Sequence, residues 1–178
     1  MSDHLCARCA RHQKTCCQTR EIYATPGDVQ RIVDFTGRTD FYAYRVPANP
    51  EYLDQDDDPA WRDNVFRSDK SRRTLNHQSN GDCTFLGPAG CVLPLDVRPL
   101  VCRIYPFDYT EEGIADELAD GCPTHLMMPG ETLLGCLDMT QLAAESWHRQ
   151  IYAEIRDEPN HSERDPERCP TSPSFECY

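Results

Sequence analysis

Apolar positions along this chain fall in short runs, which predicts small elements rather than a large layered core. Thr25-Pro26-Gly27-Asp28 reads as a helix start, with Thr25 as cap and Pro26 at the first helical position. Val29, Ile32, Val33 and Phe35 give that helix an apolar face, and Gly37 is a natural terminator. Thr39-Asp40 predicts a second short helix carrying Phe41, Tyr44 and Val46. From Pro47 to Pro59 the chain is polar and acidic, with Asp54, Asp56, Asp57 and Asp58, and reads as a surface loop.

Arg73 to Leu86 suggests a hairpin turning at Asn80-Gly81, and Gly87-Pro88-Ala89-Gly90 forces a second turn before Cys91. Pro99 can open a short helix that Pro106 stops. Phe107-Asp108-Tyr109 and Ile114, joined at Glu112-Gly113, predict another small hairpin. Asp138 and Gln141 resemble a capping box for the longest helix, from about Met139 to Arg156. Ala143, Trp147, Ile151 and Ile155 recur every four residues as its buried face, which leaves His148 on the surface. From Asp157 onward the chain is charged, rich in Pro and Ser, and aperiodic, the composition of a disordered tail.

The expected fold is therefore a small irregular α+β domain over 1–156, more helix than strand, followed by a tail over 157–178. Hydrophobic residues make up 39 % of the 178, and the mean hydropathy is −0.67. That is a thin core, which metal binding can offset because ligation contributes folding free energy directly, about 10–16 kcal/mol for a structural zinc. The net charge of −12 is a poor footprint for nucleic acid, whose phosphates need a basic surface. No apolar run approaches the roughly 20 residues of a membrane span, and Met1 to Cys6 shows no secretory signal, so the expectation is a cytoplasmic protein.

The cysteines change the picture most. Cys6, Cys9, Cys16 and Cys17 form a Cys-x2-Cys-x6-Cys-Cys knot, and Cys83, Cys91, Cys102 and Cys122 form a second group of four. Soft thiolate donors in such numbers suit zinc or an iron–sulfur cluster. A disulfide framework is the competing reading, but the eleven cysteines would leave one unpaired, and a reducing compartment disfavours it. Cys6 and Cys9 have the spacing with which a tight turn binds one metal. Adjacent Cys16 and Cys17 would point to opposite sides of an extended backbone. Two separate four-cysteine sites, two interleaved sites and one polynuclear cluster all accord with the count.

Arg8, Arg11, Lys14 and Arg20 surround the first group, and Arg98 and Arg103 flank Cys102. Nearby cations stabilise thiolate charge, though solvated surface cations would look the same. At least one of Arg98 and Arg103 is expected to point toward the thiols or brace the loop presenting Cys102. His4, His12, His77 and His125 are further donor candidates, whereas Cys136, Cys169 and Cys177 read as bystanders.

The Cys-x2-Cys and Cys-Cys opening, Cys83-Thr84-Phe85-Leu86, the run from Arg98 to Phe107 (Arg-Pro-x-x-Cys-Arg-x-Tyr-Pro-Phe) and Cys122-Pro123 follow in order. In these the chain resembles the YkgJ-like cysteine-cluster family, described as a zinc- or iron-chelating domain. The resemblance runs from about Cys6 to Cys122 and implies that the eight cysteines of the two groups are the metal ligands. The gap from Cys9 to Cys16 is wider than the family's compact opening. Relatives implied by the resemblance include a flagellin lysine methylase and proteins called iron–sulfur oxidoreductases, but this chain has no Gly-rich cofactor loop. Three functions remain open: a metal-binding protein holding zinc or iron, a cluster-dependent oxidoreductase or protein-modifying enzyme, and a zinc-stabilised scaffold for a protein partner. The two cysteine groups are expected to converge in space, because neither half has an apolar core large enough to fold alone; groups far apart would mean two independent sites.

Overall fold

The computed structural model describes residues 4–12 and 16–158. Helices α1 (Leu5–His12), α2 (Cys16–Thr19) and α3 (Pro26–Thr36) are followed by strand β1 (Tyr42–Arg45), a 3-10 turn (Pro50–Leu53) and α4 (Pro59–Val65). Then come β2 (Arg72–Leu75), β3 (Leu86–Gly87), β4 (Gly90–Cys91), α5 (Leu100–Ile104), β5 (Phe107–Thr110) and β6 (Gly113–Leu118). A second 3-10 turn (Thr124–Leu126) leads to α6 (Leu133–Cys136) and α7 (Gln141–Arg156). Three two-stranded antiparallel sheets, β1–β2, β3–β4 and β5–β6, sit among these helices. The fold is α+β with more helix than strand. The expected tail lies outside the described residues beyond Glu158, which itself is tied back by an ion pair to Arg73.

Helix α3 forms where its caps predict. Thr25 Oγ1 accepts from the Asp28 N–H and the Asp28 carboxylate from the Thr25 N–H, both at 2.9 Å, while Gly37 closes the helix in the left-handed region at φ 68°. Asp28 also accepts from the Leu100 N–H at 3.0 Å, so one buried carboxylate joins α3 to α5.

The segment after Gly37 differs from expectation. Residues 42–45 form a strand in register with β2, Tyr42 opposite Leu75 and Arg45 opposite Arg72. Cross-strand packing overrides the weak cap: Tyr44 Oη accepts from Arg73 Nη2 at 2.6 Å, and the Arg67 guanidinium lies 3.1 Å from the Tyr44 ring centre. Because β2 is taken by β1, the expected hairpin shrinks to a single bridge, His77 to Cys83, around the turn at 78–81. The acidic stretch also holds more structure than a loop. Asp58 is only 4 % exposed; it caps α4 by accepting from the Trp61 N–H at 3.1 Å and accepts from Tyr152 Oη.

Helix α7 starts at Thr140, whose hydroxyl accepts from the Ala143 N–H, while Asp138 takes a positive φ of 51° in the preceding turn. Its buried stripe is Ala144, His148, Ile151, Tyr152 and Ile155. A strict four-residue repeat overshoots the helical turn of about 3.6 residues and drifts around the helix, so alternating steps of four and three make the real stripe. His148 is thus buried, with Nε2 2.7 Å from Thr110 O, instead of exposed as expected.

Two apolar clusters result. One gathers Leu5, Trp61, Val65, Leu100, Ile104, Ile151 and Ile155; the other gathers Ile22, Ile32, Phe41, Leu75, Phe85 and Leu93. Val101 of α5 packs on both, and the cysteines divide between them: Cys6 and Cys122 against the first, Cys17, Cys91 and Cys102 against the second.

Candidate metal centre

The first cysteine group sits on helices, not on the tight turn its spacing suggests. Cys6 and Cys9 are one turn apart on α1, where positions i and i+3 share a face. The Cys6 N–H donates to His4 Nδ1 at 3.2 Å. Cys16 and Cys17 open α2, so adjacent side chains diverge by a helical step and not by the half-turn of a strand. Cys17 O accepts from the Cys83 N–H at 2.8 Å, a direct link between the two groups.

In the second group the nearby backbone N–H dipoles of Phe85 and Leu93 favour the thiolates of Cys83 and Cys91, against the rise that burial imposes. Cys91 lies on the β3–β4 hairpin, which needs Gly90: its φ is +97°, and a Cβ there would stand 3.4 Å from the Ala7 backbone of α1. Cys102 is on α5, pinned by its N–H to Pro99 O at 2.9 Å. The Tyr105 hydroxyl favours the Cys122 thiolate, and Gly121 leaves room for that side chain, since a Cβ there would overlap Tyr105 Oη.

These segments converge. Cys6, Cys9, Cys16, Cys17, Cys91, Cys102 and Cys122 line one open cavity of about 910 Å³. Cys83 is outside its wall but adds to the field on Cys102, together with Cys17 and Cys91. Among the described residues no three Cys, His, Asp or Glu side chains are already drawn together around one metal point. Burial keeps thiols protonated: it pushes Cys6 and Cys83 up to about 12 and Cys102 well above its ordinary value. Burial also raises Cys91 and Cys122, partly offset by neighbouring donors. A metal ligates the thiolate, so a bound cation would supply the charge that burial withholds.

The two arginines have separate tasks. Arg98 lines the cavity, its Nε donating to Leu93 O at 3.0 Å, and its charge favours the thiolates of Cys6 and Cys91. Arg103 is 5 % exposed and donates to Arg98 O and Asp96 O, both at 2.7 Å, which fixes the turn that presents Arg98 and Cys102. Arg8 serves elsewhere, bonding to Leu126 O at 2.8 Å and pairing with Glu131. Arg20 and His4 also line the cavity; His77 and His125 do not. Cys136 is buried in the first cluster with Arg8 Nη2 3.7 Å from its sulfur, while Lys14, Cys169 and Cys177 lie outside the described residues.

Sequence reasoning did not anticipate the remaining wall, which includes Tyr52, Trp61, Arg72 and Tyr109. These come from separate elements and share no spacing that would have marked them. No family model, no curated protein and no solved structure matches the chain, so the cysteine-cluster resemblance rests on its motif residues alone.

Proposed function

We propose that this is a metal-binding protein that holds zinc or iron, the iron as an ion or in an iron–sulfur cluster, through Cys6, Cys9, Cys16, Cys17, Cys83, Cys91, Cys102 and Cys122. The observation that carries the reading is the convergence of thiols from both halves of the chain on one cavity. The donor set fits: soft sulfurs, backbone dipoles that favour the thiolate at two of them, and the Arg98 charge favouring two. The resemblance to the YkgJ-like family accords with it. Bound metal would tie the two apolar clusters together and supply either a structural clamp or, with iron, electron transfer.

A second reading, a cluster-dependent enzyme, is favoured over a closed zinc scaffold by the openness of the cavity, since a purely structural site has no need of access. No helix is long and apolar enough to cross a membrane among the described residues. The reducing cytoplasm is the setting in which eight free thiols await a metal, and nothing in the acidic composition invites nucleic acid.

The test is metal and acid-labile sulfide in protein purified without oxygen, compared across variants. Wild type and Cys136→Ser should carry equal zinc or iron, and Cys91→Ser and Cys102→Ser should lose most of it. Folded wild-type protein without metal, or Cys91→Ser and Cys102→Ser that both retain it in full, would overturn the reading.

A further inference from the structure

The cavity is far larger than a metal site requires. Zinc–sulfur bonds of about 2.3 Å enclose on the order of 50 Å³. The observed space is about 910 Å³, within the size of small-molecule pockets, about 300–1,000 Å³. Away from the thiols the wall changes character, and Tyr23, Tyr52, Trp61, Tyr109 and Met139 line it together with Arg72. The rings brace one another: Tyr23 and Tyr109 meet Trp61 edge to face, with ring centres 5.2 and 5.9 Å away.

Arg72 is 3 % exposed, and its guanidinium lies 4.2 Å from the Tyr52 ring centre. Its hydrogen bonds run from Nη2 alone and are long, 3.4 Å to Glu21 Oε2 and 3.5 Å to Glu21 O, while its buried Nε has no partner. Tyr23 bridges to Thr74, two residues from Arg72 on β2, so pairing puts Tyr23 and Arg72 on one face. The Tyr23 hydroxyl is likewise buried without a partner. The neighbouring acids are already engaged, Asp58 by the Trp61 N–H and Tyr152, Glu21 by the Ala48 N–H and Arg72. Arg72 Nε is therefore an unmet donor at this end, and the Tyr23 hydroxyl is free to donate or to accept. Exposed Asp54, Asp57 and Glu112 also line the cavity and disfavour ligands of multiple negative charge.

We propose that this aromatic end of the cavity binds a small organic monocarboxylate with an apolar or aromatic body, its carboxylate turned to Arg72 and its body against Trp61 and Tyr109. The inference rests on the metal-centre reading only for what lies beside the ligand, and it makes the pocket a substrate compartment next to the thiols.

Calorimetric titration of the full chain with phenylacetate, 2-phenylethanol and 2-phenylethylamine tests it, since the three share a body and differ in charge. Phenylacetate should bind saturably, with a Kd at least about tenfold below those of the alcohol and the amine, and Arg72→Gln should abolish that preference. Equal affinities, preference for the amine, or no saturable binding by about 10 mM phenylacetate would overturn the proposal. The wild-type ranking decides even where Arg72→Gln fails to fold. Elemental analysis of the same samples reports on metal separately, so phenylacetate binding to metal-free protein would leave this site standing while the metal reading falls.

Discussion

On one side of α5, Leu100 and Ile104 are fully buried with Ile151 and Ile155 of α7, whereas on the other Cys102 lines a cavity walled with thiols. The first side is closed, although Arg31 Nε is buried there without a partner. Its apolar groups are sealed, and its polar network, Thr25, Asp28, Arg31 and Glu154, is knitted by ion pairs and by the Asp28 bond to the Leu100 N–H. On the thiol side, burial holds Cys6 and Cys102 in the neutral form, and on the reading proposed above a bound cation would supply the charge that closes it.

The comparison breaks or sharpens on substitutions to either side. The largest expected effect comes from the thiol side: chelating the metal should lower the urea midpoint more than any single core truncation, because a structural site contributes on the order of 10 kcal/mol. Ile104→Ala, on the sealed side, should cost about 2–5 kcal/mol in urea unfolding, equally with and without metal. A chelation effect no larger than that of Ile104→Ala would mean both sides are self-sufficient. Gly90→Ala should cost about 1–3 kcal/mol, from a left-handed φ and the close approach to Ala7, and should reduce metal retention because Cys91 is displaced. An unchanged urea midpoint would show that the hairpin does not depend on α1.

The smallest effect is the pH response of the sealed side. Burial tends to raise the Glu154 carboxyl, but hydrogen bonds from Arg31, Thr25 and Gln150 outweigh it and hold the group below its ordinary value of about 4.3. Its stabilising contribution is present above that ordinary value and is lost as pH falls through the lowered one. Glu154→Gln should therefore be less stable than wild type near neutrality, with the gap narrowing below about pH 4. Urea midpoints across that range check it, and a gap that widens on acidification would reverse the sign.

Legibility followed the range of the interactions. The capping box at Thr25, the stop at Gly37, the turn at 87–90 and the hairpin at 107–114 are set by neighbours in sequence, and residues alone announced them. Tyr42 to Arg45 and Asp58 were misread because their partners, β2 and Tyr152, are distant in the chain. His148 was misplaced by a repeat of four where the helix turns about every 3.6 residues. Cysteine density marked the seven thiols that line the cavity, although it gave no sign that Cys83 stands outside the wall. The aromatic annex had no such mark, since Tyr52, Trp61, Arg72 and Tyr109 meet only through the fold.

The account turns on what the thiols hold, and X-ray absorption at the zinc and iron edges of anaerobically purified protein asks this directly. An all-sulfur first shell at about 2.3 Å is the predicted result, lost in Cys102→Ser and intact in Cys136→Ser. A first shell of nitrogen and oxygen at about 2.0–2.1 Å, or no edge signal above background, would contradict it.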